Sequence, residues 1–503
     1  MRKLLLSLLF ICGWMQVVQS QNITSSKSEK DMGTLSPSPL QKQIINRGYG
    51  MFIHFGVNTF NQVEWSDGNL PASTYNPTDL DPDQWVATAK EAGFRHIVLV
   101  TKHHDGFCLW DSKYTDYDVA ASPVKTDVIK AVATACKKYG VKLGLYYSLW
   151  DRHESSYKDK DPQKYISFMK GQLTELLSNN GPICEIWFDG AWDRKAEDWD
   201  ILGVYSLIKK LQPDCAVTVN HTIGVGKENA NGIGQPRNFQ QGDIIRFWPV
   251  DFRTKDPNLA RYDDPKLYNY GGQLRYLPFE HTLCISDRWN WFQKKDILPA
   301  RPLDELEQLF YWCTANDNVM LLNVPPDQTG RLRENEQQRL FELADRLGIR
   351  KGKKPLPAGP KNSALKRPVV ANNTAKDSDA NNAVDYDMES YWLAKDAISA
   401  IEISLDKNKL FNCISLFEYA EMKDLGDGFS SIRNFGVSQF SIEVFDGKSW
   451  KEIYKGKEIG ACLTIKLNKK YQAEKLRITI LDASRPAGFY HIIVADGKKN
   501  VLR

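Results

Sequence analysis

Glu185-Ile186-Trp187-Phe188-Asp189-Gly190-Ala191-Trp192 is the stretch on which the reading of the fold turns. Apolar and aromatic positions lead up to one carboxylate. A glycine follows it, and a second tryptophan comes three residues on. A strand buried on both faces reads as an almost unbroken apolar run and belongs to a parallel sheet covered by helices. The segment is therefore read as a parallel strand that delivers Asp189 to its carboxyl tip. Taken alone, Phe-Asp-Gly is more often a turn or a helix cap, and the flanking chain decides between the two.

Outward from this stretch, strand and helix alternate. Gly50 to Gly56 reads as a strand. Asp81-Pro82 opens a helix, because Asp caps well and Pro suits the first helical position, and Gly93 ends it. Strand His96 to Val100, helix Asp127 to Tyr139 with Gly140 as terminator, strand Lys142 to Tyr147 and helix Pro162 to Leu177 follow. Beyond Asp189 come helix Trp199 to Leu211 and strand Ala216 to Val219. Further strands are expected at Asp243 to Phe247, Thr282 to Ile285 and Val319 to Asn323, with helices at Leu303 to Ala315 and Glu334 to Leu347. This order calls for parallel strands with right-handed crossovers. About eight strands in roughly 300 residues predict an α/β fold, a (β/α)8 TIM-like barrel over residues 41–350. A doubly wound nucleotide-binding sheet is the rival, and neither Gly-x-Gly-x-x-Gly nor a Walker loop supports it.

The ends of the chain differ in character. Met1 to Ser20 has a charged start and a short apolar run, the pattern of a secretory signal, and implies export to the periplasm or the extracellular space. Residues 21–40 read as a flexible lead-in. Residues 351–371, rich in Pro and basic side chains, read as a linker. From 372 to 503 the pattern alternates with period two, as in Ala400 to Leu405, Phe440 to Phe445, Leu463 to Leu467 and Leu476 to Ile480. Turn signals at Asp427-Gly428 and Asp446-Gly447 complete the reading of an all-β sandwich.

Composition bounds the chemistry. The chain has 503 residues, 42% hydrophobic and 25% charged, with a net charge of +4, which suits a soluble protein of two or more domains and leaves no bulk charge to drive nucleic-acid binding. No stretch beyond the leader could span a membrane. The nine cysteines occur singly with no Cys-x-x-Cys, so a thiolate zinc site is not expected. The 14 Trp and 21 Tyr suit carbohydrate contact.

Polar groups gather where a barrel holds its active site, at the carboxyl ends of strands. These endings are His54, Lys102-His103-His104-Asp105, Tyr146-Tyr147-Ser148, Asp189 and Asn220-His221. Glu280 stands ahead of the late apolar run, and Asp287-Arg288-Trp289-Asn290-Trp291 follows it. Alternation puts Tyr146 and Tyr147 on opposite sides of their strand, and Tyr146 is assigned to the core. A carboxylate between Trp187 and Trp192 suits sugar chemistry, since indole faces pack on pyranose C–H faces and a carboxylate can attack an anomeric carbon.

Gly50-Met51-Phe52-Ile53-His54-Phe55-Gly56, Glu64-Trp65, Lys102-His103-His104-Asp105-Gly106-Phe107, Leu145-Tyr146-Tyr147-Ser148, Trp187-Phe188-Asp189-Gly190 and Asn318 to Pro326 together resemble the α-L-fucosidases of glycoside hydrolase family twenty-nine. The resemblance covers about Gly48 to Leu347, and a following sandwich similar to galactose-binding or discoidin modules fits it. It implies a retaining exo-α-L-fucosidase that needs no cofactor or metal and acts on fucosylated oligosaccharides or glycoconjugate glycans. Asp189 matches the nucleophile. His54, Glu64, Trp65, His103, His104, Tyr147, Trp187 and Trp291 match or flank the sugar pocket. Glu280 matches the general acid/base of many members, with Glu228 and Glu64 ranked behind it. The chain departs from the pattern at Phe55, where many members carry Trp, and at Arg288 to Trp291.

Two other classes remain. His54, His103, His104 and Asp105 could ligate a metal in a metal-dependent sugar hydrolase or isomerase. A non-catalytic carbohydrate-binding protein would instead use aromatics of the sandwich such as Trp392, Phe429 or Trp450.

Overall fold

A computed structural model describes residues 35–191, 193–224, 239–256, 259–287, 289, 291–292, 299–352, 354–424, 431–497 and 501–502. The leader expected at 1–20, Glu228, Trp192, Phe429 and the Asp427-Gly428 turn lie outside these residues.

Eight parallel strands form the first unit: β1 Tyr49–Ile53, β2 His96–Lys102, β3 Lys142–Ser148, β4 Ile183–Asp189, β5 Ala216–Val219, β6 Arg253–Thr254, β7 Phe279–Cys284 and β8 Val319–Asn323. Their order around the sheet is β5-β4-β3-β2-β1-β8-β7-β6. A parallel bridge from Asn220, one residue past β5, to Thr254 of β6 brings the two edges together, so the barrel is nearly closed. Besides the five-residue helix Val57–Asn61, the α-helices among the described residues are α1 Pro39–Arg47, α2 Pro82–Glu91, α3 Val128–Tyr139, α4 Gln163–Asn179, α5 Ile201–Leu211, α6 Leu303–Cys313 and α7 Glu334–Leu347.

Local chemistry sets these boundaries as the sequence implied. Asp81 accepts from Gln84 N ahead of α2, and Asp127 accepts from Lys130 N ahead of α3. Gly140, with φ 67°, closes α3 in the left-handed region. Among the expected barrel strands one fails. The sixth barrel strand is the two-residue β6, not Asp243 to Phe247. Ile244–Ile245 belongs to a separate four-stranded sheet that decorates the barrel. Two residues of backbone pairing carry no apolar run, so no pattern marked them.

The barrel interior is filled in layers. Phe52, Val98, Val100, Tyr146, Trp187, Phe252, Val319 and Leu321 form an apolar cluster inside it. Below, at the amino-terminal end, lie Arg47, His96, Glu185 and Glu280, all buried. Above, at the carboxyl end, lie the polar strand endings.

The C-terminal unit is a sandwich. Strands Val369–Ala371, Ser399–Ser404, Lys475–Ala483, Val437–Phe445 and Trp450–Gly456 make one antiparallel sheet. Trp392–Leu393, Gly488–Ala495, Leu410–Glu418 and Leu463–Gln472 make the other. Ile401, Ile414, Phe440, Ile478, Phe489 and Ile492 are among the side chains buried between them. Trp392 is part of this core, not an exposed sugar platform. Trp450 is half-buried with the Arg477 guanidinium 3.7 Å over its ring. Among the described residues no helix is long and apolar enough to cross a membrane.

Candidate active site

β4 ends on Asp189, and Gly190 turns the chain with φ 77°. A Cβ there would meet Trp150 N at 2.8 Å, so both the turn and the close approach require glycine. Three donors hold the Asp189 carboxylate: Tyr146 OH to Oδ2 at 2.9 Å, Gly190 N to Oδ1 at 2.7 Å and Asn220 Nδ2 to Oδ1 at 2.9 Å. His104 Nε2 stands 3.7 Å from Oδ2. Burial pushes the Asp189 pKa up, and the three donors oppose that rise. A buried carboxylate oriented by fixed donors has the geometry that nucleophilic catalysis needs.

The histidines surround it. His54, next to β1, shares a 3.0 Å hydrogen bond between its Nδ1 and Asn323 Oδ1 at the end of β8. His104 Nδ1 and Ser148 Oγ are 2.6 Å apart. The His103 and His104 ring centres lie 4.1 Å from each other. Burial lowers the pKa of His54 and of His104 to about 3 and that of His103 well below the ordinary value. Neutral imidazoles that can donate and accept suit sugar hydroxyls. Trp291 packs 5.2 Å from His54 and 5.0 Å from His103, and Trp289 packs 4.8 Å from His54. Trp65 is 46% exposed at the rim, edge-on to His104 and Trp150.

Three expected residues are not where the sequence reading put them. Tyr147 faces away from the pocket: its hydroxyl donates to Gln172 Oε1 of α4 at 2.6 Å and accepts from Lys102 Nζ at 2.9 Å. Tyr146 is the tyrosine that faces Asp189. Trp187 has no exposed surface and stacks on Tyr146 at 5.5 Å, so it is the floor beneath Asp189 rather than a sugar platform. Glu280 is the second residue of β7, paired in register with Val319 at the start of β8, which puts it at the amino-terminal end. It is fully buried, accepts from Trp187 Nε1 at 3.1 Å and lies 3.8 Å from His96 Nε2. Burial and Glu185 push its pKa well up. The Trp187 floor lies between Glu280 and the pocket, so this carboxyl cannot face Asp189 across a glycosidic bond.

Two other carboxyls feel the charge of Asp189. Glu64, half-buried in the loop after β1, has its pKa raised to about 7 by burial and then by the charge of Asp189. Asp256, two residues past β6, has its pKa raised to about 8 by burial and by Asp189 and Glu64, against a 2.5 Å hydrogen bond from Thr282 Oγ1 to its Oδ1. Asn220 ties the two sides together. Its Nδ2 donates to Asp189, and its Oδ1 accepts from the Asp256 backbone N–H at 2.9 Å. Sequence reasoning passed over Asp256 because its strand is two residues long. The Asn220 ending is visible in the sequence, but nothing there marks its bond to Asp189.

Among the described residues the group of three potential metal ligands within 4.8 Å of one another is His96, Glu185 and Glu280, beneath the floor and beside Arg47. His54, His103, His104 and Asp105 do not form such a group.

Known proteins resemble this chain in sequence and fold. The family model described as Alpha-L-fucosidase matches residues 68–351. Alpha-L-fucosidase 1 of Arabidopsis thaliana is 33% identical over 323 residues, covering 61% of this chain and 60% of that protein, so the match spans less than two thirds of its length. A protein of Oryza sativa subsp. japonica, provisionally named α-L-fucosidase 1, is 30% identical over 440 residues, 84% of this chain and 78% of its own. The crystal structure of a Ruminococcus gnavus family twenty-nine fucosidase in complex with fucose shares the fold, with a TM-score of 0.52 at 24% identity over 92% of this chain and 95% of that one. The chain belongs to the α-L-fucosidase family of glycoside hydrolases.

Proposed function

We propose that this protein is a retaining exo-α-L-fucosidase that removes terminal α-linked L-fucose from oligosaccharides or glycoconjugate glycans. Asp189 is the nucleophile, Asp256 the acid/base, and His54, His103, His104 and Glu64 hold the sugar's hydroxyls. In the first step an Asp189 oxygen bonds to the anomeric carbon while the glycosidic C–O bond breaks and the Asp256 carboxyl protonates the departing oxygen. In the second step Asp256, now a carboxylate, takes a proton from water as that water attacks the same carbon and releases Asp189. A retaining pair stands roughly 5–5.5 Å apart. The donor must be protonated near neutral pH while the nucleophile is ionised.

The observation that carries this assignment is the Asn220 amide, which holds Asp189 and the Asp256 backbone on its two ends, together with the raised Asp256 pKa of about 8. Glu64 is the second reading for the donor, favoured by its own pKa of about 7. Glu228 lies outside the described residues. The apolar leader at Met1 to Ser20 supports export to the periplasm or beyond.

Azide separates these roles by stereochemistry. Asp189→Ala with azide should give the β-fucosyl azide, because azide takes the place of the nucleophile. The acid/base variant should give the α-fucosyl azide, because azide attacks the glycosyl-enzyme from the opposite face. We expect the α-azide from Asp256→Ala and not from Glu64→Ala or Glu280→Ala. The α-azide from Glu64→Ala alone transfers the donor role to Glu64. Full activity in Asp189→Ala removes the mechanism.

A further inference from the structure

Strand β7 ends at Cys284, and beyond it Trp289 and Trp291 pack on His54 and His103. Ser286 and Ala300 belong to one bridge. Arg301 N donates to Ile285 O at 2.8 Å, and Arg301 Nε donates to Cys284 O at 3.0 Å. The next anchor comes from the sandwich. Arg433, on the antiparallel pair Glu421–Asp424 and Ser431–Asn434, reaches across to the barrel. Its Nε donates to Asp287 Oδ2 at 2.8 Å, and its Nη1 and Nη2 donate to the two oxygens of Glu305 at 2.9 Å each. Glu305, on α6, also accepts from Arg301 Nη1 at 2.6 Å.

We infer that Arg433 is a positioning residue for sugar binding, fixing from the sandwich the aromatic wall that closes the fucose pocket. Asp287 lies two residues before Trp289 and four before Trp291, and those indoles pack on His54 and His103. A guanidinium fork fits a carboxylate in one plane, so two parallel bonds to Glu305 fix Arg433, and its third nitrogen then fixes Asp287. The Asp287 and Arg433 side chains are each 17% exposed and that of Glu305 is 4%, so solvent screens these charges only in part. The burial of Glu305 would raise its pKa, yet Arg301 and Arg433 hold it below the ordinary value. Arg433 therefore links the sandwich to the barrel segment that leads to Trp289 and Trp291.

The inference rests on the fucosidase reading, and fucose binding measured by calorimetry tests it without turnover. We expect Arg433→Met to weaken fucose binding and raise KM for an aryl fucoside by about tenfold or more, with the pH optimum unmoved. Arg433→Lys keeps the charge but loses the fork and should fall between. Asp287→Asn, which touches only the loop end, should act in the same direction, and it carries the test if Arg433→Met does not fold. On a Trp291→Ala background Arg433→Met should add less than about twofold, because the wall it holds is already gone. Unchanged fucose affinity and KM in a folded Arg433→Met or Asp287→Asn protein overturn the inference, as do losses that multiply fully with Trp291→Ala. Fucose binding without fucose release from the unaltered protein counts against the hydrolase reading alone.

Discussion

The Tyr146 hydroxyl donates to Asp189 Oδ2 across neighbouring strands at 2.9 Å, so the proposed nucleophile is aimed by a tyrosine whose ring is itself stacked on Trp187. Hydrogen bonds to a charged group contribute about 1.5–3 kcal/mol, and they favour the ionised form. Tyr146→Phe should therefore lower kcat/KM by about ten- to a hundredfold. It should also move the acid limb of the pH profile upward, because the nucleophile becomes harder to ionise. Tyr147→Phe should leave kcat/KM near the parent value and lower stability by about 1–3 kcal/mol, since Gln172 and Lys102 each lose a buried partner. Kinetics and thermal melts of the two variants side by side test the orientation of the strand. The reverse outcome would place Tyr147 in the pocket.

The alkaline limb reports the proton donor. With its pKa near 8, Asp256 keeps its proton through neutral pH and loses it above, so activity should fall as pH rises through about 8. The Glu64 charge is one cause of that high value. Glu64→Gln removes the charge, and the limb should move to lower pH even where the variant binds fucose poorly. A limb that stays in place in Glu64→Gln, or persists in Asp256→Asn, shows that another group titrates.

What could be read from residues alone followed from strand chemistry. Asp189 at a strand tip and the (β/α)8 order came from apolar runs that only parallel strands tolerate. The parity of β3 did not. Both of its faces are buried, so Tyr146 and Tyr147 look equally internal, and period-two alternation separates them without saying which one faces the barrel axis. For Glu280 the sequence does carry a signal. A carboxyl standing ahead of an apolar run begins a strand, and the start of a barrel strand lies at the end that gives stability, away from the chemistry. Asp256 left no trace because β6 is too short to show a pattern, and only the Asn220–Thr254 bridge reveals its level in the barrel.

Glu280 is therefore expected to behave as a structural residue. Its carboxyl is buried with His96, Glu185 and Arg47 and favours the neutral form, which Gln imitates in shape. Glu280→Gln should keep kcat within about threefold, with no change in the pH limbs. Glu280→Ala should lower stability by about 2–4 kcal/mol through the cavity it leaves and the lost partner of Trp187. Loss of chemistry in Glu280→Gln with restoration by azide would return it to the catalytic role.

The buried imidazoles bear on stability in acid. An unfolded histidine binds its proton near pH 6.5, whereas folded His54 waits until about 3. Between these values the unfolded chain holds a proton that the native state lacks, so the contribution of His54 is present above pH 6.5 and is lost as pH falls towards 3. The raised carboxyl pKa values of Asp256 and Glu64 act in the opposite sense over part of that range, and a comparison at one position cancels them. His54→Asn removes the titration and leaves the carboxyls in place. Relative to this variant, the unaltered protein should lose stability on acidification from pH 7 to 5, approaching about 1.4 kcal/mol per pH unit below 6.5. Denaturant unfolding of both proteins at three pH values measures it. A stability difference that stays constant over that interval shows that His54 titrates normally in the folded state and is not desolvated as the pocket geometry requires.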